Sequence, residues 1–209
     1  MQPILPQGYT YVIQNFNNLQ PYRTQENFEV ANFKLDAFVD VNSKEAASEW
    51  IAAFESYSKT TMPKTKGFKI TGNRVLFREL RHCIHSHQVK KKQGKNRLTK
   101  HPQSSRARDI DCTASIHLRL ERRNLEYSHP LEINIEFIHN HVINSAESLS
   151  FRRVKNEVRE RFVELFKDGH SPSSALFVHE DELYLSATND KELLEILSDR
   201  ASNPDYNII

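Results

Sequence analysis

Apolar and polar residues alternate most regularly in two stretches in the middle of the chain. In Cys112-Thr-Ala114-Ser-Ile116-His-Leu118-Arg-Leu120 the even positions are apolar, and in Leu131-Glu-Ile133-Asn-Ile135-Glu-Phe137 the odd ones are. Successive side chains of a strand point to opposite faces, so this period predicts two strands, each with one buried face. The same parity puts Cys112 on the core side of the first strand. It also carries His139 and His141 to the core side of the second. The polar stretch from Glu121 to Pro130 reads as the turn between them.

Upstream, Phe33, Leu35 and Ala37 alternate with polar neighbours and predict a strand or two within 28–40. Ser43 is placed to cap a helix running to about Tyr57, with Ala46, Ala47, Trp50, Ile51 and Phe54 at helical spacing. The Gly72-Asn73 pair between two β-prone runs predicts a hairpin. Lys64, Lys66, Lys69, Arg74 and Arg78 then become candidates for a basic ribbon. Residues 1–27 show no sustained period and read as a loosely packed lead-in.

Beyond the strands the period becomes helical. Ser150 is a candidate cap for a helix through Phe151, Val154, Val158, Phe162, Val163 and Phe166, ended by Gly169. Ser171-Pro172 suits the start of a second helix, and Leu193, Leu194 and Leu197 mark a third near Asp190 to Arg200. Helix, glycine turn, helix has the appearance of a helix-turn-helix, although most such pairs are packing units. The apolar end at Ile208-Ile209 suggests a fragment of a longer protein. The expected fold is α+β: a small antiparallel sheet, preceded by one helix and followed by a helix-turn-helix-like segment. The expected organisation is a lead-in with short strands over 1–42, a sheet domain over 43–145, and a helical segment over 146–209.

Charge changes this picture. The net charge of +2 hides a separation: residues 64–108 hold fourteen Lys and Arg against one acid, Glu79. With 29 basic and 27 acidic residues in all, that stretch carries about +13 and the rest about −11. A localised basic block points to a polyanion partner, because Lys and Arg that neutralise phosphates release condensed counterions. Within 88–109, which holds Lys90, Lys91, Lys92, Lys95 and Arg97, there is almost no apolar content to bury. That loop reads as a phosphate-binding arm and as a nuclear-import patch. No apolar run approaches the ~20 residues of a membrane span, and the start lacks a secretory pattern, so a reducing interior is expected.

In such a compartment the two cysteines are better read as ligands or thiols than as a disulfide. Zinc takes thiolate and imidazole in closed tetrahedral sites. Cys83, Cys112, His139 and His141 supply that set, spaced Cys-x28-Cys-x26-His-x-His. His85 and His87 lie close enough to Cys83 to compete for its place. The adjacent His139-Asn140-His141 is not an HNH nuclease motif, whose residues are dispersed over a ββα unit. Four protein ligands would also close the ion to the water that hydrolysis needs. No acidic pair, Ser/His/Asp set or glycine-rich phosphate loop suggests catalysis or a small-molecule substrate.

The order of a basic strand, Cys83, a long loop, Asp111-Cys112-Thr-Ala, a strand, and Ile135-Glu-Phe-Ile-His139-Asn-His141 resembles the WRKY/GCM superfamily of zinc-binding β-sheet domains. It is especially similar to the versions in Mutator-like-element transposases and in proteins domesticated from them. The resemblance spans roughly residues 45–180 and includes Gly169-His-Ser-Pro-Ser-Ser-Ala. It implies zinc at Cys83, Cys112, His139 and His141. It also implies a DNA-reading strand before the first cysteine, matching Lys64, Lys66, Phe68 and Lys69. The Trp-Arg-Lys-Tyr heptad of the plant members is absent and the loop between the cysteines is longer, so base specificity does not carry over. The expected function is zinc-dependent, sequence-specific duplex-DNA binding in the nucleus, as a transposase-derived recognition domain or transcription regulator and not as an enzyme. The alternative is a zinc-stapled protein-protein interaction module whose zinc fold binds the partner, with a basic import loop; separately, the C-terminal helices are a candidate surface for a protein partner. RNA is disfavoured because few aromatics interleave with the basic residues.

Overall fold

The computed structural model describes residues 4–25, 28–68, 72–89 and 109–205. The chain forms two units, Met1–Ile143 and Asn144–Ile209. The first holds a six-stranded antiparallel sheet in the order β1-β2-β6-β5-β4-β3 and a helix of fourteen residues. Its strands are β1 (Tyr11–Arg23), β2 (Glu29–Val39), β3 (Lys64–Gly67), β4 (Val75–His82), β5 (Ser115–Glu121) and β6 (Leu131–Phe137). The helix α1 (Lys44–Tyr57) lies between β2 and β3, and a short 3-10 helix (Arg122–Glu126) follows β5.

One face of the sheet is the core. The alternating residues of β5 and β6 (Ile116, Leu118, Leu120, Leu131, Ile133, Ile135, Phe137) are fully buried with Phe33, Leu35 and Ala37 of β2. Helix α1 closes this layer with Ala47, Trp50, Ile51 and Phe54, Trp50 and Phe54 stacking with ring centroids 5.5 Å apart. Burial of several such side chains, each about 1.5–3 kcal/mol, is what holds helix to sheet. The opposite face is polar, carrying Lys34, Asp36, Glu132, Arg78 and Arg119.

As expected, Ser43 caps α1, its hydroxyl oxygen accepting from the Ala46 N–H at 3.1 Å. Ser43→Ala should cost about 1 kcal/mol and lower the melting midpoint by ~2–4 °C. Thermal unfolding followed by circular dichroism checks this, and an unchanged midpoint would remove the cap from the account.

The lead-in expectation for residues 1–27 does not hold. β1 is a thirteen-residue edge strand paired with β2 from Tyr11↔Val39 to Arg23↔Glu29. It escapes a periodicity reading because nearly every side chain is exposed or half-buried, so no alternation is imposed. Register shifts at Ile13/Asn15 and Leu19/Tyr22, the second including Pro21, blur it further. The Trp50 Nε1 donor tethers its start through the Tyr11 hydroxyl at 3.0 Å.

The second unit holds α2 (Ala146–Leu149), α3 (Asn156–Lys167), α4 (Pro172–Ser186) and α5 (Asp190–Ser198). Ser150 does not start the long helix. It ends α2, its N–H donating to Ala146 O, and α3 begins six residues later. The intervening segment is held by tertiary contacts instead: buried Arg152 pairs with Asp199 at 2.5 Å, and the Lys155 N–H donates to Ala201 O. Gly169, at φ 89°, stops α3 in a left-handed turn that a side chain would strain. Ser171 caps α4, with Pro172 in its first turn. A small core of Phe162, Leu165 and Ala175 packs α3 on α4.

Candidate functional site

Three strands stop at the same end of the sheet. β4 ends at His82 opposite Ser115, and Ser115, the first residue of β5, lies opposite Glu136 of β6. Cys83 therefore follows β4 directly, Cys112 stands just before β5, and His139 and His141 lie just past β6. Backbone bonds fix the two cysteine segments: Cys83 N–H to Ala114 O at 2.9 Å, and Cys112 N–H to His85 O at 3.4 Å. Asp111 turns the chain into Cys112 with a left-handed backbone, φ 54°, a conformation Asp tolerates better than most residues.

Asn32 of β2 clamps the histidine segment. Its Oδ1 accepts from the His139 N–H at 2.9 Å and its Nδ2 donates to the His139 carbonyl at 3.4 Å. Asn140 Nδ2 donates to Ile110 O at 2.8 Å, tying the same segment to the chain entering Cys112.

These constraints bring one donor atom each from Cys83, Cys112, His139 and His141 within 4.8 Å of one another, a group that could hold a metal ion. Cys83, Cys112 and His139 are buried and His141 is half-buried. Cys83 Sγ is 3.3 Å from His141 Nε2, Cys112 Sγ is 3.5 Å from His139 Nδ1, and the two nitrogens are 3.2 Å apart. A tetrahedral shell with metal–sulfur distances of ~2.3 Å and metal–nitrogen distances of ~2.0–2.1 Å implies S···N near ~3.6 Å and N···N near ~3.3 Å. The separations match that shell. His141 Nδ1 lies 3.2 Å from Val142 O, so as a donor there it leaves the Nε2 lone pair for the centre.

The electrostatics favour the ligand form at Cys112 and His139. A hydrogen bond from the Cys83 thiol outweighs burial and, with His139 and His141, holds Cys112 well below the ordinary thiol range. The Cys112 thiolate in turn pushes Cys83 up, with burial adding to it. Burial pulls His139 below the usual imidazole range, against the opposing pull of Cys112, which keeps its ring neutral. A thiolate and a neutral imidazole are the forms that bind soft divalent metals.

The rivals for the Cys83 position are placed elsewhere. His87 is exposed and its Nδ1 meets Asp109 Oδ2 at 2.9 Å. His85 is buried with its ring against His141, centroids 4.5 Å apart, outside the converging group.

The basic candidates divide. Lys66 and Arg78 gather around Phe68, with Lys66 Nζ 4.9 Å and Arg78 Cζ 4.1 Å from the ring centroid. Lys64 turns to Glu79 at 2.5 Å, while Arg74 lies at the far end of β4, 3.6 Å from Glu121. Lys69, Lys90, Lys91, Lys92, Lys95 and Arg97 lie outside the described residues.

Two groups of residues escape a reading of the sequence. Asn32 betrays itself only as a buried polar residue beside buried Phe33, breaking the alternation of β2. Arg119, Arg122 and Arg123 lie outside the long basic stretch, the first reading as a solvent-facing strand residue and the other two as ordinary turn residues. No family model matches this chain, and neither the curated proteins nor the solved structures contain a match to it.

Proposed function

We propose that Cys83, Cys112, His139 and His141 hold a structural zinc ion, and that the chain is a zinc-dependent protein binding duplex DNA in the nucleus. The observation that carries this reading is the convergence of a Cys2His2 donor set at the end of a sheet whose edge hairpin presents Lys66, Phe68 and Arg78. With four protein ligands the ion would have no open position for water, so its contribution is folding free energy and not hydrolysis. The resemblance to the WRKY/GCM domains of Mutator-like transposases supports the same assignment, as a transposase-derived recognition domain or a transcription regulator. The edge hairpin would reach base edges while the basic residues position it on phosphates.

Anisotropy titrations of labelled duplex against salt test this. Log affinity should fall linearly with log salt, and Lys66→Ala should weaken binding about tenfold and flatten the slope by about one. Lys64 is spared because it holds Glu79. A folded, metal-loaded chain with no salt-dependent affinity for duplex would overturn the reading. The second reading, a protein-protein module, draws on the helical unit, where Phe177 is 66% and Leu185 87% exposed on α4.

A further inference from the structure

At the end of the sheet opposite the cysteines, Glu121 closes β5 with its side chain only 1% exposed, and three arginines converge on it. Arg119 pairs with Oε1, Arg123 Nε meets Oε2 at 2.5 Å, and Arg74 Nε lies 3.6 Å from the same oxygen. Three guanidinium groups bring roughly fifteen N–H donors, and one carboxylate offers roughly four lone-pair sites. Among the described residues neither Glu121 oxygen takes a well-formed hydrogen bond, so the carboxylate gathers the arginines by charge and leaves their donors unspent. Arg74 and Arg123 remain 68% and 66% exposed.

The surrounding structure fixes this group. The Arg122 N–H donates to Arg74 O at 2.8 Å and its Nε to Asn73 O at 3.0 Å, so the turn bearing Arg74 is strapped to the end of β5. Arg78 and Arg119 stand directly opposite each other in the β4–β5 register. Like charges so placed are destabilising, and in a sheet with no use for them other residues would serve better. Arg78 spends its Nε on His117 at 3.0 Å and lies over Phe68. Glu132 also lies 3.9 Å from Arg119. The result is a cationic cradle with surplus positive charge, organised by a buried anion.

We propose that Arg74, Arg119 and Arg123, positioned by Glu121, bind backbone phosphate of duplex DNA. This site continues the strip formed by Lys66, Phe68 and Arg78, and it rests on the DNA-binding reading above. Guanidinium forks suit phosphate because they donate in pairs to its oxygens. Arg74, just ahead of β4, and Arg78 are four residues apart, up to about 13 Å, and a duplex strand carries one phosphate per ~3.4 Å of axis, so the strip spans several phosphates.

The test uses the full metal-loaded chain and duplexes of two unrelated sequences. The Arg74→Ala/Arg123→Ala double variant should bind both at least tenfold more weakly at fixed salt, with a salt slope shallower by about two. Glu121→Gln is the sharper probe, because it removes a negative charge. A simple charge count expects tighter binding, whereas a cradle that has lost its organiser binds more weakly. Wild-type and Lys66→Ala binding as described above, together with an unchanged double variant, would overturn the cradle and leave the DNA reading intact. Tighter binding by Glu121→Gln would overturn the positioning role. Absence of duplex affinity in the wild type would overturn both. Should Glu121→Gln fail to fold, the double variant of exposed side chains decides alone.

Discussion

Stripping the purified protein of metal is expected to abolish the cooperative fold of residues 1–143, and Cys112→Ser is expected to do the same. Structural zinc contributes about 10–16 kcal/mol in small zinc-finger peptides, whereas a whole domain is stable by only about 5–15 kcal/mol. The four donors join the ends of β4, β5 and β6, so their release frees three strand ends at once. Without an ion, the two imidazole nitrogens, 3.2 Å apart, and the two buried thiols would be held only by weak thiol and imidazole hydrogen bonds. Elemental analysis should find one zinc per chain in the wild type and none in the variant. Circular dichroism on chelation should show loss of the sheet. A metal-free wild type that melts cooperatively at an unchanged midpoint would sink the zinc assignment.

Glu79→Ala should cost about 3–5 kcal/mol. Glu79 is buried on β4, where its Oε2 accepts from Arg81 Nε at 3.0 Å and Nη2 at 2.8 Å, and its Oε1 from Lys64. Arg81 is itself buried and also donates to Met62 O. Removing the carboxylate strands a guanidinium in the interior, and an uncompensated buried charge is the costly outcome of breaking such a pair. It also releases Lys64 and with it the four-residue edge strand β3. Urea unfolding at neutral pH measures the loss, and a difference below 1 kcal/mol would show that water reaches Arg81.

The same residue sets a pH dependence. Burial alone would raise the Glu79 carboxyl, but the hydrogen bond from Lys64 and the charge of Arg81 outweigh it and hold the group below its ordinary value. A folded value lower than the unfolded one, which is about 4.3, stabilises the fold fully above that value. The contribution is lost as pH falls through the folded value. The stability difference between wild type and Glu79→Gln should therefore be constant near neutrality and shrink on acidification below about pH 4.3. The two proteins are compared only at pH values where both retain their metal, since its loss is expected to abolish the fold. A difference that grows on acidification would reverse the assigned sign.

Much of this architecture follows from local pattern. The parity of Ile116, Leu118 and Leu120 and of Ile133, Ile135 and Phe137 determined two strands and their buried face. The hydroxyls of Ser43 and Ser171 determined where two helices begin, because each sits one residue before a helical run and accepts one of its free N–H groups. The same parity, extended beyond the strands, determined that Cys112 and His139 face inward.

Tertiary structure alone decided the rest. It recruited the featureless 11–23 segment as β1, because edge pairing rests on backbone hydrogen bonds that need no side-chain period. It broke the predicted helix at Ser150 through Arg152 and Asp199, partners forty-seven residues apart. It chose Cys83 over His85 and His87, since only the register of β4 against β5 fixes which side chain reaches Cys112. It also gathered Arg74 of a turn, Arg119 of β5 and Arg123 of the 3-10 helix on Glu121. Periodicity reports how one segment meets the core, and a site assembled from the ends of several segments depends on their mutual register, which no single segment encodes.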